Sequence, residues 1–133
     1  MAEINVEALP KAFSLEQNVM KTCFPSNGKD LSTPLASSLE RCSYFVIVDS
    51  NQETGVTTLL NDAQTAARGA GIQVAQLIID QQIKAVIVLE IDSIAFDILL
   101  KAGIKIYLGI DGTIQENLDL FCQGRLVKIR IAE

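Results

Sequence analysis

The sequence of 133 residues contains no histidine and no tryptophan. The absence of histidine excludes Ser-His-Asp and Cys-His nucleophilic catalysis and removes the commonest metal ligand. Five phenylalanines and two tyrosines are the only aromatic residues, so platforms for stacking single-stranded nucleic acid are few. The net charge of −5 argues against duplex binding, which needs a basic face. We therefore expect no nucleic-acid partner.

Cysteine is also scarce. Cys23, Cys42 and Cys122 form an odd set without CxxC spacing, which does not describe a disulfide framework and favours a reducing cytoplasm. The first twenty residues lack the continuous apolar stretch of a secretory signal. Charged residues interrupt the longest membrane candidate, 77–110, and a bilayer span needs about 20 apolar residues. We expect a soluble cytoplasmic protein without a membrane partner.

The first half of the chain has the pattern of strands. Hydrophobic residues make up 49% of the sequence, and its length suits one domain with its own core. Residues 21–24 predict a first strand that ends at a Pro-Ser-Asn-Gly turn over 25–28. A polar loop follows over 29–41. Residues 44–48 predict the second strand, and 56–60 predict a third strand in a hairpin with it.

The second half alternates helices and strands. It predicts a helix over 71–83, a strand over 85–89, a helix over 93–102, a strand over 105–108 and a helix over 113–124. Alternation of apolar and basic residues over 127–131 suggests a short edge strand. The chain is thus predicted to be an α/β domain with five main strands in a mixed sheet. We divide it into an N-terminal extension (1–19), a domain (20–127) and a C-terminal tail (128–133).

Four segments then point to a known family. They are 20–28 (MKTCFPSNG), 41–49 (RCSYFVIVD), 69–72 (GAGI) and 101–107 (KAGIKIY), the last followed by Gly109, Gly112 and Thr113. In this order they resemble the dinitrogenase iron–molybdenum cofactor biosynthesis family over residues 20–127. Three segments differ from the family pattern. Ser38-Leu39-Glu40 replaces His-Phe-Gly, 61–67 replaces a His-rich loop, and 89–93 replaces a Gly-containing loop.

The resemblance implies both a fold and a role. It implies a ribonuclease H-like motif, a five-stranded mixed sheet of order 3-2-1-4-5 with helices packed on it. It also implies a carrier or assembly protein for iron–sulfur or iron–molybdenum clusters, with no turnover chemistry of its own. The expected partners are the metallocluster and the proteins that assemble or accept it.

Cys42 is the residue we expect to contact the metal, because a thiolate suits iron and sulfur-rich sites. Arg41 beside it would favour the thiolate and an anionic ligand. We expect this thiol to lie open at the rim of a groove, although the same pattern also fits an ordinary cysteine before a strand. The predicted cofactor-binding residues are Asn27, Gly28, Arg41, Cys42, Gly69 and Gly71.

Other interpretations stay open at this point. Residues 109–113 fit either an anion site at a helix N-terminus or a tight connection with a capping box. Three carboxylates follow predicted strands and would hold Mg²⁺ for phosphoryl transfer if they converge: Glu90, Asp92 and Asp111. Asp49 also follows a strand but should lie at the opposite edge of the sheet from these three. A third hypothesis is a non-catalytic scaffold whose edge strand or N-terminal extension docks a partner. Cys23 and Cys122 are expected to be small buried hydrophobic residues.

Overall fold

The computed structural model describes residues 21–49, 55–66 and 68–129. The predicted extension over 1–19 and the tail beyond residue 129 lie outside the described residues. The strands are β1 (Lys21–Ser26), β2 (Tyr44–Asp49), β3 (Val56–Leu60), β4 (Ala85–Val88), β5 (Lys105–Leu108) and β6 (Val127–Lys128). The helices are α1 (Ala70–Asp80), α2 (Ser93–Lys101) and α3 (Ile114–Cys122).

The described strands form one mixed sheet of order β3-β2-β1-β4-β5-β6. Strands β1 and β2, β2 and β3, and β5 and β6 pair antiparallel, whereas β1 and β4, and β4 and β5, pair parallel. The predicted order of the first five strands is confirmed, and the predicted edge strand near residue 127 is present as β6. Asp49 pairs with Lys21 at the start of β1, so it lies at the edge predicted for it.

Pro25 lies inside β1, and the prediction that a turn over 25–28 ends this strand after residue 24 is wrong. The carbonyl oxygen of Pro25 accepts a hydrogen bond from the backbone N–H of Ala36, 2.9 Å away. The N and C=O groups of a strand residue point to the same side, which here is the side away from β2. Because the missing N–H of proline faces that way, the strand loses no ladder bond to β2.

Helices cover both faces of the sheet. Helices α1 and α2 pack on one face through residues such as Val74, Ile78 and Leu99. Helix α3 packs on the other face, where Ile114 and Phe121 contact a separate apolar cluster. Cys23 belongs to the first cluster and Cys122 to the second, so the prediction that both are buried is confirmed.

The segment over 29–41 differs from the polar loop predicted there. Leu35, Ala36 and Leu39 are buried. The N–H of Leu39 donates to the carbonyl of Glu90, 3.3 Å away, and Leu35 donates to Gly112, 2.8 Å away. The segment therefore crosses the ends of β1, β4 and β5 and closes the core at that edge.

Helix α1 ends three residues earlier than predicted. Asp80 is its last residue, and Gln82 has a φ of 61°, in the left-handed region. Ile83 is buried in the core after this turn, so its apolar character reflects the connection to β4. Ile72 lies in the first turn of α1 and is 52% exposed, so it does not belong to the buried face of that helix. In the described part of the chain α1 is the longest helix, with 11 residues, and none is long and apolar enough to span a membrane.

Candidate functional site

The segments that carry the predicted site meet at one edge of the sheet. Strands β1, β4 and β5 run parallel and end there, and β2 begins there. We call this the carboxyl edge. It consists of residues 26–28, 41–43, 61–66, 89–92 and 109–113. In open α/β sheets this is the edge at which ligands commonly bind.

Asn27 and Gly28 form the turn at the end of β1. The side-chain oxygen of Asn27 accepts a hydrogen bond from the backbone N–H of Ser43, 3.0 Å away, which joins this turn to the start of β2. The hydroxyl of Ser26 donates to the carbonyl of Gly28 at 2.8 Å, and the N–H of Gly28 donates to the same hydroxyl oxygen at 3.0 Å. A Cβ at Gly28 would lie 2.5 Å from the hydroxyl oxygen of Thr33, so a larger residue there would require the Thr33 side chain to move.

Cys42 is only 2% exposed, and the expectation that its thiol lies open at a groove rim is wrong. The sulfur lies 3.4 Å from the carbonyl oxygen of Leu39 and 3.2 Å from that of Tyr44, within reach as a donor to either. Burial raises the pKa of the thiol to about 11. The sulfur is therefore a protonated donor at neutral pH, and coordination of a metal would require both deprotonation and exposure.

Arg41 points to solvent and holds a neighbouring loop. Its guanidinium donates to the carbonyl oxygens of Gln64 at 3.1 Å and Ala66 at 2.7 Å. The pKa of the Cys42 thiol is raised chiefly by burial, and Arg41 is not among the groups that shift it. Arg41 instead connects the start of β2 to the loop that leads into α1.

Asn61 is a residue whose role the sequence analysis missed. It is 1% exposed, and its side-chain NH₂ donates to the carbonyl oxygens of Glu40 at 2.9 Å and Cys42 at 2.8 Å. Its side-chain oxygen accepts from the N–H of Ala63, two residues on, at 2.9 Å. Asparagine directly after a strand is a common start of such an Asx turn, and this was the available signal.

Gly69 and Gly71 flank the start of α1 in different ways. Gly69 has a φ of 76° with open space around its Cα, which identifies a backbone role. A Cβ at Gly71 would lie 2.5 Å from a side-chain oxygen of Asp92. That same oxygen accepts hydrogen bonds from the N–H groups of Ile94 and Ala95 and caps α2. Because Gly71 has no side chain, the first turns of α1 and α2 can approach each other closely. The carboxylate of Asp92 caps α2.

Glu40 fastens the segment that crosses the carboxyl edge. Its carboxylate accepts from the backbone N–H of Asp92 at 2.7 Å and from the hydroxyl of Ser38 at 3.3 Å. Ser38 also forms an isolated parallel bridge with Glu90. Together with Leu39, whose N–H donates to the carbonyl of Glu90, residues 38–40 therefore close the edge against the end of β4.

Residues 109–113 form a tight connection. Thr113 and Glu116 make a complete capping box at the start of α3. The N–H of Ile114 donates to the carbonyl of Thr33 at 2.9 Å, and that of Ile110 donates to the side chain of Asn117 at 2.7 Å. Of the two interpretations of this segment, the structure supports the capped connection, because these donors are used internally. Asn117 is the second buried organiser that the sequence analysis missed; an asparagine inside a helix was the signal for it.

The predicted binding residues thus share an edge but do not make a metal centre. Asn27, Arg41 and Cys42 are joined through Ser43 and the 61–66 loop, and Gly71 is joined to them through Asp92 and Glu40. Among the described residues, no group of three His, Cys, Asp or Glu side chains is placed to hold a metal ion. The Mg²⁺ arrangement expected of Glu90, Asp92 and Asp111 is therefore not observed.

Comparisons with known proteins identify the family and the fold. The model of the family described as dinitrogenase iron–molybdenum cofactor matches residues 20–124. An uncharacterized protein of Methanocaldococcus jannaschii is 30% identical over 116 residues, 86% of this chain and 95% of that protein. A candidate NifB protein from Thermotoga, of the DUF35 family, is 33% identical with a TM-score of 0.73, over 86% of this chain and 97% of that one. The apo form of the orange protein from Desulfovibrio gigas has the same fold at 24% identity, with a TM-score of 0.78 over 84% and 93% of the two chains.

Proposed function

We propose that the chain binds an iron–sulfur or iron–molybdenum cluster as cargo and delivers it to proteins that assemble or accept such clusters. The reason is that the chain belongs to the dinitrogenase iron–molybdenum cofactor family. The family match carries this proposal, since it spans residues 20–124 and includes every segment of the carboxyl edge. The role is that of a carrier without turnover chemistry.

We place the protein in the cytoplasm, which suits three free cysteines. We also assign the order β3-β2-β1-β4-β5 to the ribonuclease H-like motif.

The cargo would lie over the carboxyl edge, where 26–28, 41–43 and 61–66 are joined. Clusters built from metal and sulfide are commonly anionic, and the exposed guanidinium of Arg41 brings a permanent positive charge to this edge. The guanidinium has five N–H donors, of which the carbonyls of Gln64 and Ala66 use a part. A buried, protonated thiol does not suit coordination. We therefore propose that the cargo is held by charge and hydrogen bonds rather than by a bond to the sulfur of Cys42.

Anaerobic reconstitution tests the proposal. The purified chain would be incubated with iron and sulfide, and separately with tetrathiomolybdate and iron, and bound metal would be counted by mass spectrometry after desalting. We expect metal bound to the wild type, a clear loss in Arg41→Gln, and retention in Cys42→Ala. Lys84→Gln is the control for the loss of one positive charge, because Lys84 is exposed and directly precedes β4, at the edge of the sheet opposite the carboxyl edge.

Each outcome has a definite meaning. No bound metal in the wild type contradicts the cargo proposal. If the folded Cys42→Ala protein binds no metal while Arg41→Gln binds as much as the wild type, Cys42 is a ligand. That result would overturn the proposal that the cargo is held by charge and hydrogen bonds. Circular dichroism of every variant establishes that it is folded.

A further inference from the structure

Strand β3 lies at one edge of the sheet formed by the described strands. No described strand pairs with its outer side. The N–H of Asp49 donates to the carbonyl of Gly55 at 2.6 Å, and the N–H of Asn61 donates to Ser43 at 2.9 Å. Since the direction of the backbone groups alternates along a strand, those of Val56, Thr58 and Leu60 point outward, away from β2.

This edge lacks the features that usually prevent pairing with another chain. The sequence of β3 is VTTLL, without a charged residue, a proline or a glycine. Val56 is 45% exposed and Leu60 is 57% exposed. Edges that remain unpaired in solution commonly carry lysine, proline or a bulge.

A groove lies where β3 ends. Its volume is about 340 Å³. One wall is formed by Leu60 and residues 61–63, and the other is formed by successive turns of α1 through Gln73, Gln76, Leu77 and Asp80. An extended segment that follows the outer edge of β3 would therefore run into a cleft between a strand end and a helix.

The groove is acidic. Asp62 and Asp80 are the charged residues among those that line it, one on each wall. Gln76 donates from its side-chain NH₂ to the carboxylate of Asp80 at 2.9 Å, which orients that carboxylate. Leu60 and Leu77 contribute apolar surface to the same groove. An occupant that matches this surface is cationic with an apolar side chain.

We propose that the outer edge of β3 and the groove beside α1 dock an extended, basic segment of a partner protein. The segment adds to the sheet through the outward backbone groups of Thr58 and Leu60, as in other strand additions at sheet edges. An apolar side chain of the segment contacts Leu77, and lysine or arginine side chains approach Asp62 and Asp80. This docking does not depend on the cluster cargo.

A synthetic peptide tests the proposal on the whole 133-residue chain without metal. The probe is a capped hexapeptide of alternating lysine and valine, and the control peptide has glutamate in place of lysine. We expect amide shifts in nuclear magnetic resonance spectra over 56–63 and 73–80 with the lysine peptide only. Asp62→Lys/Asp80→Lys should weaken binding roughly ten-fold, since each reversal replaces an attraction by a repulsion. Asp97→Lys/Asp119→Lys is the matched control, with the same net charge and both changes outside the groove.

Backbone methylation of the peptide tests the strand addition separately. Two peptides are N-methylated on alternate residues, so that in one of them the blocked amides face β3. We expect one methylated peptide to lose binding and the other to keep it. Equal binding of both, or binding of the glutamate peptide as tightly as the lysine peptide, would overturn the proposal.

Two further outcomes would assign the edge to another occupant and overturn the proposal. One is a concentration-dependent dimer in sedimentation without peptide, with the amides of Val56, Thr58 and Leu60 protected, which would indicate a second copy. The other is peptide binding that appears only after residues 1–19 are deleted, which would indicate that this segment competes for the groove.

Discussion

Two buried asparagines organise the carboxyl edge at the residue scale. Asn61 joins 40–42 to the loop after β3, and Asn117 bonds to the backbone of Ile110 and Thr113. Each side chain satisfies several backbone groups at once, which a hydrophobic residue of equal size could not do. These two buried side chains therefore fix the backbone of the candidate site from the protein interior.

Asn61→Ala should destabilise the protein by about 2–3 kcal/mol, because it leaves the buried carbonyl of Cys42 and the partly buried carbonyl of Glu40 without this donor. Urea unfolding followed by circular dichroism measures the change. Asp62→Ala, at the exposed neighbouring position, is the control and should stay within about 0.5 kcal/mol of the wild type. Equal midpoints for the two variants would contradict the role given to Asn61.

The stability of the protein should fall as the pH rises above 9. Burial raises the pKa of Cys42 from 9.0 to about 11, so between these values the unfolded chain has lost a proton that the folded chain keeps. The stabilisation is complete below pH 9 and is lost as the pH rises toward 11. Urea unfolding at pH 7, 9 and 10 under reducing conditions measures this. Cys42→Ala should show a smaller fall than the wild type, and an identical fall would refute the assignment.

At the scale of elements, contacts between segments set boundaries that local sequence did not reveal. Pro25 stays in β1 because its nitrogen faces the 35–36 segment instead of β2. Helix α1 ends at Asp80 because the chain turns at Gln82 to return Ile83 to the core. Both outcomes depend on which neighbour each backbone group faces, and this is fixed only when the sheet has formed.

Gly71→Ala should destabilise the protein by about 1–3 kcal/mol, although glycine to alanine inside a helix usually stabilises. The added Cβ would approach the oxygen of Asp92 that caps α2. Chemical unfolding measures the effect. In Gly71→Ala/Asp92→Ala the clash is absent, so the double variant should be less destabilised than the sum of the two single variants. Strict additivity would contradict a direct clash.

In the sheet of the described residues, the central strands are buried, and β3 lies at one side with no described strand on its outer edge. Strands β1 and β4 lie between other strands and are buried, whereas β3 and the two-residue β6 form the edges. Opening of an edge strand disrupts fewer contacts than opening of a central one. The candidate cargo edge and the proposed docking groove meet at residues 61–63.

Native-state hydrogen exchange should follow this arrangement. We expect amides of β4 and of central β1 to exchange on the order of a hundred-fold more slowly than those of β3. Within β3, Thr57 and Leu59 should exchange more slowly than Thr58 and Leu60, because only the former face β2. Mass spectrometry or magnetic resonance at pH 7 measures the rates. Uniform rates along β3 would contradict the open edge.

The sequence by itself determined the fold class and the capping box at Thr113 through local periodicity and capping chemistry. Its ordered motifs determined the family, and the resemblance to that family implied the order of the first five strands. Only the tertiary structure decided that Cys42 is buried, that Arg41 bonds to the 64–66 backbone, and that Gly71 makes room for Asp92. The reason is physical. Exposure, pKa and hydrogen-bond partners depend on segments distant in sequence, and residues 39–42 meet residues 61–66 and 90–92 only when the sheet brings the ends of its strands to one edge.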